Sequence, residues 1–463
     1  MHHSLPDLLA QPHAAVPFFE TVLVQALPAD PPTPKGSPRG APQKLSWMHL
    51  WFGFVLGILQ GVASYQGVQR LLAADPLGPF AKVVLTDDAL VKRLRQAGIE
   101  PLQQMLARLS AVLAPLLRPA FPADLAAFAR EILALDETTW EAVQRHLAVL
   151  RVVPKGDERL VPGKLAGRFN VRTQQWDLIQ LRTNPVGNCK LDLCSLLEGL
   201  LADSLLLFDL GYFSYPFFDY LTQRHFWFIS RLREKVCYQI VHEFYRQAGT
   251  LDALVWLGST GRNSPRTGCL LRLVRFWDGH ELRMYLTNQT DPLALPLPDI
   301  ARLYARRWDI ELAFLTLKAH LGLHHWWSGH PVLQQQQALV VLIAAQLLHA
   351  LRVLIALDAG CDPFEVSLPL LVEYLPQILH QRLHPVSWAM QHGDDLGLFR
   401  PSSRYVVQAP VVPTTALCFP PADLPRTRLA CYLTYKQRPH RSPRKKPRRS
   451  PASSSRASPR LDK

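Results

Sequence analysis

Ser204-Leu-Leu-Leu-Phe-Asp209-Leu-Gly211-Tyr-Phe213 is an apolar run that closes on an acid. A strand with one wet face would alternate apolar and polar residues, so four consecutive apolar positions predict a strand covered on both faces. Glu131-Ile-Leu-Ala-Leu-Asp136 has the same form further upstream and continues into Glu137-Thr-Thr. Between the two, Arg168-Phe-Asn-Val-Arg172 and Trp176-Asp-Leu-Ile-Gln-Leu181 read as hairpin strands around Thr173-Gln174-Gln175, and a helix is predicted over Leu191–Leu201. Downstream come a helix over Pro216–Gln223 and the strand Phe226-Trp-Phe-Ile-Ser230. This alternation predicts a mixed α/β sheet. From about 236 to 285 the pattern turns to strands, with Asp278-Gly279 as a hairpin turn.

After Asn288 the period changes to that of a helix. In Tyr304-Ala-Arg-Arg307-Trp-Asp-Ile-Glu311-Leu-Ala-Phe-Leu-Thr-Leu-Lys318, a rotation of about 100° per residue puts Arg307, Glu311 and Lys318 within roughly 60° of Tyr304. Leu303, Ile310, Phe314, Leu317 and Leu321 form an adjoining apolar stripe, suited to docking on a core while the polar edge faces a cleft. With no Gly or Pro between Asp299 and His320, one continuous helix is predicted. A carboxylate flanked by cations can bind a hard metal ion while Arg and Lys grip phosphates. An Arg307/Glu311 pair on a solvated helix face has the same spacing and is worth only about 0.2–0.5 kcal/mol.

A chain of 463 residues, 48% hydrophobic, is long enough for two or three domains with buried cores. Its net charge of +14 is concentrated at one end: residues 436–463 hold eleven Lys and Arg against one acid. That segment, with Arg441-Ser-Pro-Arg-Lys-Lys-Pro-Arg-Arg449, reads as a disordered basic tail, either a binder of phosphate backbones or a solubilising end. Residues 1–45 end in Ala29-Asp-Pro-Pro-Thr-Pro-Lys-Gly-Ser-Pro and are expected to form a poorly ordered leader. Residues 46–125 read as a helical N-terminal domain. Within it, Thr86-Asp87-Asp88 caps a helix that stops at Gly98, with a second short helix from Pro101. Lys92 and Arg95 on one face suit a DNA-reading pair of helices, and a plain helical bundle has the same look. Residues 126–380 are assigned to the α/β domain, and 381–435 carry no functional signal.

Seven cysteines, odd in number and without a C-x2-C pair, indicate neither a zinc site nor a disulfide framework and suit a reducing cytosol. Two apolar stretches, Trp47–Ser64 and Ala338–Leu357, contain polar interruptions and read as buried helices rather than membrane spans. Met1-His-His-Ser-Leu-Pro lacks the features of a signal peptide, so export is not expected.

An acid just past a buried strand lies at the carboxyl edge of the sheet, where open α/β sheets bind ligands. Asp136 and Asp209 both fit that description, although Asp after a strand commonly serves as a turn or cap residue. If Glu311 converges on them, three like charges require a compensating cation. Oxygen ligands alone point to Mg²⁺ or Mn²⁺. Two such ions would activate water against a phosphodiester and stabilise the leaving 3′ oxygen.

The spacing Y-x2-R-x3-E-x6-K at Tyr304, Arg307, Glu311 and Lys318 resembles the signature of DDE transposases of insertion-sequence family 4. Asp209-x-Gly211-x-Phe213 resembles the family's second acidic motif, and Leu135-Asp136-Glu-Thr-Thr its first. Glu137 departs from the Gly or Ser found in many members. The resemblance covers roughly residues 80–350. It implies an RNase H-like mixed α/β catalytic core with a β-rich insertion between the second Asp and the Glu, and catalytic and metal-binding roles for Asp136, Asp209 and Glu311 with two divalent ions. It further implies phosphate contacts from Tyr304, Arg307 and Lys318, and cut-and-paste movement of an element bounded by terminal inverted repeats. Double-stranded DNA, a synaptic homodimer and a nucleoid-associated, cytoplasmic location follow as expectations, with no membrane partner. The alternative is an inactive relic that only binds DNA. Trp140, Trp308 and Trp326-Trp327 are candidates to stack on an unpaired base, or else core residues.

Overall fold

The strand over 205–208 is buried at every position, as its apolar run requires. A computed structural model describes residues 18–27, 45–139, 163–182, 193–259, 264–323, 325–402 and 407–432, and the structural statements below concern these residues. They contain nine strands: β1 (Ile132–Thr139), β2 (Lys164–Asn170), β3 (Gln175–Arg182), β4 (Leu205–Phe208), β5 (Trp227–Arg231), β6 (Tyr238–Gln247), β7 (Thr250–Leu257), β8 (Leu271–Trp277) and β9 (Leu282–Thr287). They form one mixed sheet in the order β3-β2-β1-β4-β5-β9-β8-β7-β6. β1, β4 and β5 are parallel, and every other neighbouring pair is antiparallel.

The strand period of two sorts the side chains into two cores. Ile132, Ala134, Leu205 and Leu207 face one core, shared with the helices described below. Leu133, Leu135, Leu206 and Phe208 face the other, with Phe217, Phe218 and Leu221. The expected hairpin forms between β2 and β3, with its turn at 171–174. The strand-rich stretch from 236 to 285 does not stand apart from the sheet: β9 pairs with β5 through Ile229–Thr287, Ser230–Leu286 and Arg231–Tyr285.

The helices of eight residues or more are α1 (Phe18–Ala26), α2 (Trp47–Leu59), α3 (Tyr65–Ala74), α4 (Asp87–Ala97), α5 (Glu100–Leu117), α6 (Tyr215–Gln223), α7 (Leu297–Ala305), α8 (Trp308–Leu315), α9 (Pro331–Ala359), α10 (Leu368–His380) and α11 (Pro385–His392). α9 is long and apolar enough to cross a membrane by length and composition, but its apolar window is entirely buried inside the fold, in contact with α2, α5 and β3. α2 is likewise buried over most of its length. Thr86 caps α4 through a bond from the Ala89 N–H, and Gly98 ends it at φ 67°, a conformation that suits glycine.

Three sequence expectations need correction. Within the supposed leader, α1 buries Phe19, Val22, Leu23 and Ala26 against α5 and α2; the i, i+3, i+4, i+7 pattern was masked by the Pro-rich stretch that follows. The second helix of the Lys92/Arg95 pair is not short, because α5 runs for 18 residues and packs along α9. The helix predicted over 191–201 is a single turn, Leu193–Leu196. The basic tail and most of the leader lie outside the described residues.

Residues 417–431 lie along the β6–β8 part of the sheet. Arg266 and Cys431 exchange backbone bonds, the Cys418 N–H donates to the Phe244 carbonyl, and the Tyr432 hydroxyl bonds Asp219 on α6.

Candidate active site

The parallel register of β1 and β4 decides where the first two acids meet. Their last paired residues are Leu135 and Phe208, so Asp136 and Asp209 are the next residues of adjacent parallel strands. β1 itself continues to Thr139 along β2, which leaves Asp136 inside the strand rather than at its end. Counting by two from Ile132 and Ala134, Asp136 and Thr138 belong to the face that carries the larger core. α8 packs on that face of β1 and β2 and brings Glu311 with it.

The predicted continuous helix from 299 to 320 is broken. α7 ends at Ala305, α8 begins at Trp308, and Thr316–His320 forms a π turn. At the break the N–H groups of Arg306, Arg307 and Asp309 donate to carbonyls three residues back, which tightens the chain. Side chains distant in sequence hold it there. Buried Asp309 accepts from Gln174 Nε2 at 2.9 Å and from Arg306 Nε at 2.8 Å. Arg352 donates to Gln174 Oε1 at 3.1 Å, and Phe364 lies 5.4 Å from the Arg306 guanidinium and 4.4 Å from that of Arg352. The expected apolar stripe of Leu303, Ile310, Phe314, Leu317 and Leu321 is buried throughout.

A cleft of about 470 Å³ opens beside this break, lined by Asp209, Arg231, Arg283, Tyr304, Arg307 and Trp308 among others. Arg307 is only 5% exposed; its Nη1 donates to Glu311 Oε1 at 2.6 Å, and its guanidinium lies 4.8 Å from the Trp308 ring. Tyr304 is buried, its hydroxyl makes no hydrogen bond among the described residues, and burial pushes that phenol well above its usual range. Lys318 donates to Thr138 Oγ1; burial lowers its pKa and the nearby Asp136 opposes the shift.

Asp136 is electrically tied to both other acids. Burial pushes its carboxyl up to about 6, and the Glu311 and Asp209 carboxylates act in the same direction. The Glu137 N–H and the Arg307 charge pull it down, the first through a 2.8 Å bond to Oδ1. Glu137, the departure from the common motif, faces the other way: Lys164 Nζ is 2.5 Å from one oxygen and Arg182 3.7 Å from the other.

Three carboxylates on one face are the right kind of donor for a hard divalent cation. Their closure is incomplete: among the described residues no group of three or more His, Cys, Asp or Glu forms a metal-ligating cluster, and Glu311 is paired with Arg307. The structure thus brings together Asp136, Asp209, Tyr304, Arg307, Glu311 and Lys318. It does not bring Lys92 or Arg95 to the cleft; both are exposed on α4, which packs on α3 and α9. Trp308 is 56% exposed at the cleft wall, whereas Trp326 and Trp327 pack against the core and Trp140 lies outside the described residues. Sequence reasoning missed Arg231 and Asp309. Arg231 was legible as the residue that closes an apolar strand next to the one ending at Asp209; nothing local marks Asp309 as buried.

Residues 191–347 match the transposase DDE domain family. That span contains Asp209 and Glu311 and excludes Asp136. The match supports a DDE transposase without reaching a subfamily. No curated protein matches the chain. Among solved structures the chain is similar to a piggyBac transposase, described in a cryo-EM synaptic complex with hairpin DNA, at 9% identity over 80% of each chain and a TM-score of 0.36.

Proposed function

We propose that this chain is a DDE transposase that cuts DNA at the terminal repeats of its own mobile element and joins the freed end to a target. The observation that carries the reading is that Asp136 and Asp209, following the last paired residues of adjacent parallel strands, and Glu311, on the helix packed against β1, follow in the order D, D, E, with Asp136 in electrostatic reach of the other two, beside a cleft rich in arginine. The strand order β3-β2-β1-β4-β5, with β1, β4 and β5 parallel, supports an RNase H-like core, and β6–β9 then constitute the β-rich insertion of a family 4 enzyme.

In this reading the three acids hold divalent ions, Mg²⁺ or Mn²⁺, which supply activation of the attacking hydroxyl and charge stabilisation of the leaving 3′ oxygen. Arg307 and Arg231 grip phosphates at the cleaved end, Arg by its planar fork. Lys318 adds a point charge beside Thr138 and Asp136. Tyr304 offers its unpaired hydroxyl to a phosphate oxygen, and Trp308 presents a ring face to a base at the duplex end. Lys92 and Arg95 on the outer face of α4 contact more distant phosphates. Two copies act on two element ends, in association with the nucleoid. The Arg307–Glu311 bond also favours a second reading, a relic that binds DNA without cutting.

The test is cleavage of a duplex carrying the repeats that flank this gene, in Mg²⁺ or Mn²⁺, by the wild type and by Asp209→Ala and Glu311→Ala. Cutting at the repeat end by the wild type alone is expected. Equal rates in all three would remove the mechanism, and binding without cutting by any would establish the relic.

A further inference from the structure

The strap over 417–431 brings cations as well as packing to the β6–β8 end of the sheet. The Arg428 N–H donates to the Gly268 carbonyl and the Leu270 N–H to that of Arg426, so the strap runs as an added strand along 266–270. Arg428 donates through Nε to the Thr267 carbonyl at 2.9 Å and through Nη2 to that of Leu257 at 2.7 Å, and lies 4.9 Å from the Trp256 ring. Exposed Arg426 donates to Thr290 Oγ1 at 3.0 Å, and Arg266 reaches the Leu429 carbonyl at 3.0 Å. The row continues toward the cleft. Leu257, an acceptor of Arg428, pairs with Tyr238, three residues past exposed Lys235 in the turn between β5 and β6. In that turn exposed Arg233 donates at 3.5 Å to the carbonyl of Leu210, the residue after Asp209, and stands two residues past cleft-lining Arg231. Arg233, Arg426 and Arg428 thus bond neutral oxygens, which orient a guanidinium without neutralising it. Arg233, Lys235, Arg266, Arg426 and Arg428 outnumber the acids of the same segments, Glu234 and Asp423. Charge of the same sign follows in the sequence, where 436–463 hold eleven Lys and Arg against one acid.

We propose that this band, from Arg233 and Lys235 to Arg266, Arg426 and Arg428, is a second nucleic-acid contact, one that holds the backbone of a DNA duplex away from the cleft. The identity of the partner rests on the transposase reading. Phe276 pairs with Arg283 of the cleft wall, and Arg266, which bridges Gly258 at the end of β7, lies ten residues before it. At about 3.3 Å per residue that is a span of roughly 33 Å, close to one turn of duplex, about 34–36 Å. A duplex whose end enters the cleft meets the far side of the band about one turn further on. Phosphates there would displace no bonded carboxylate from Arg233, Arg426 or Arg428. Contacts of this kind add affinity through counterion release and fix the path of the duplex without reading bases.

The band is tested by fluorescence anisotropy of the full-length chain on a duplex of about three helical turns without terminal repeats, across a salt series. Arg233→Gln, Lys235→Gln and Arg426→Gln together remove three exposed charges from the band; Arg70→Gln, Lys82→Gln and Arg400→Gln together remove three exposed charges elsewhere. The log–log salt slope is expected to shrink by about 0.9 per lost phosphate contact. That is about 2–3 in the band variant, with affinity at low salt weakened about tenfold or more, and less than one contact's worth in the other variant. Equal changes in both, or none in the band variant, overturn the proposal. So does undiminished duplex binding with loss of binding to phosphatidylserine vesicles, which would make the band a membrane contact. If the band variant loses duplex binding and no chain cuts repeat-bearing DNA, the band stands and the transposase reading falls. If the wild type cuts and the band variant keeps its salt slope, the reading stands and the band falls.

Discussion

The strand-borne acids and the helix-borne acid are held in place by different physics. Asp136 and Asp209 sit one residue beyond a paired position of two adjacent parallel strands, and shifting either by one residue would turn an entire buried face toward the other core. Glu311 rides on an eight-residue helix whose start is set by side chains from elsewhere: Gln174 at the β2–β3 turn, Arg352 on α9 and Phe364 beyond it. Backbone pairing makes the first pair of positions rigid. A side-chain network sets the third, so α8 is expected to open more readily than β1 and β4.

That contrast can be broken most severely in the sheet. Leu206 is fully buried in the middle of β4, and Leu206→Ala should cost about 2–5 kcal/mol, measured by urea unfolding. A loss below about 1 kcal/mol would mean that β4 is not the rigid element described. A smaller effect is expected at the helix break. Asp309→Ala leaves Gln174 Nε2 and Arg306 Nε without their shared acceptor and should cost about 1–3 kcal/mol. Hydrogen exchange should show faster opening of α8 than of β1 and β4. Equal protection of all three would erase the distinction.

The smallest effect concerns pH. His349 is fully buried on α9 against Phe169, and burial, aided by Arg352, holds its pKa well below 6.5. The folded state thus resists a proton that the unfolded chain accepts. His349 contributes its full stability above about pH 6.5, and that contribution declines as pH falls below that value toward the depressed folded pKa. His349→Leu should flatten the acid side of the stability profile while leaving the profile above pH 7 nearly level. A variant that loses stability equally at all pH values would assign His349 a packing role only.

How much of this was legible in the sequence follows the same division. The runs ending at Asp136 and Asp209, the hairpin around Thr173 and the apolar stripe of the 304–318 segment were readable because each depends on local period and burial. The break at Arg306–Arg307 was not, since no Gly or Pro marks it and its partners lie at 121, 174, 352 and 364. Nor could period alone join β9 to β5, or lay residues 417–431 along β6–β8. Those contacts join segments far apart in the chain. Asp309 was missed because the network that buries it exists only in three dimensions, whereas Arg231 carried a local signal, its place at the end of an apolar strand, that went unread.

The most direct measurement of whether the three acids share one site is iron-directed cleavage of the protein backbone, with Fe²⁺ replacing Mg²⁺ in the presence of ascorbate and peroxide. Cuts clustered near residues 136, 209 and 311, suppressed by excess Mg²⁺ and absent in Asp209→Ala, are the predicted result. Cuts near only one of these positions, or a pattern indifferent to Asp209, would contradict convergence.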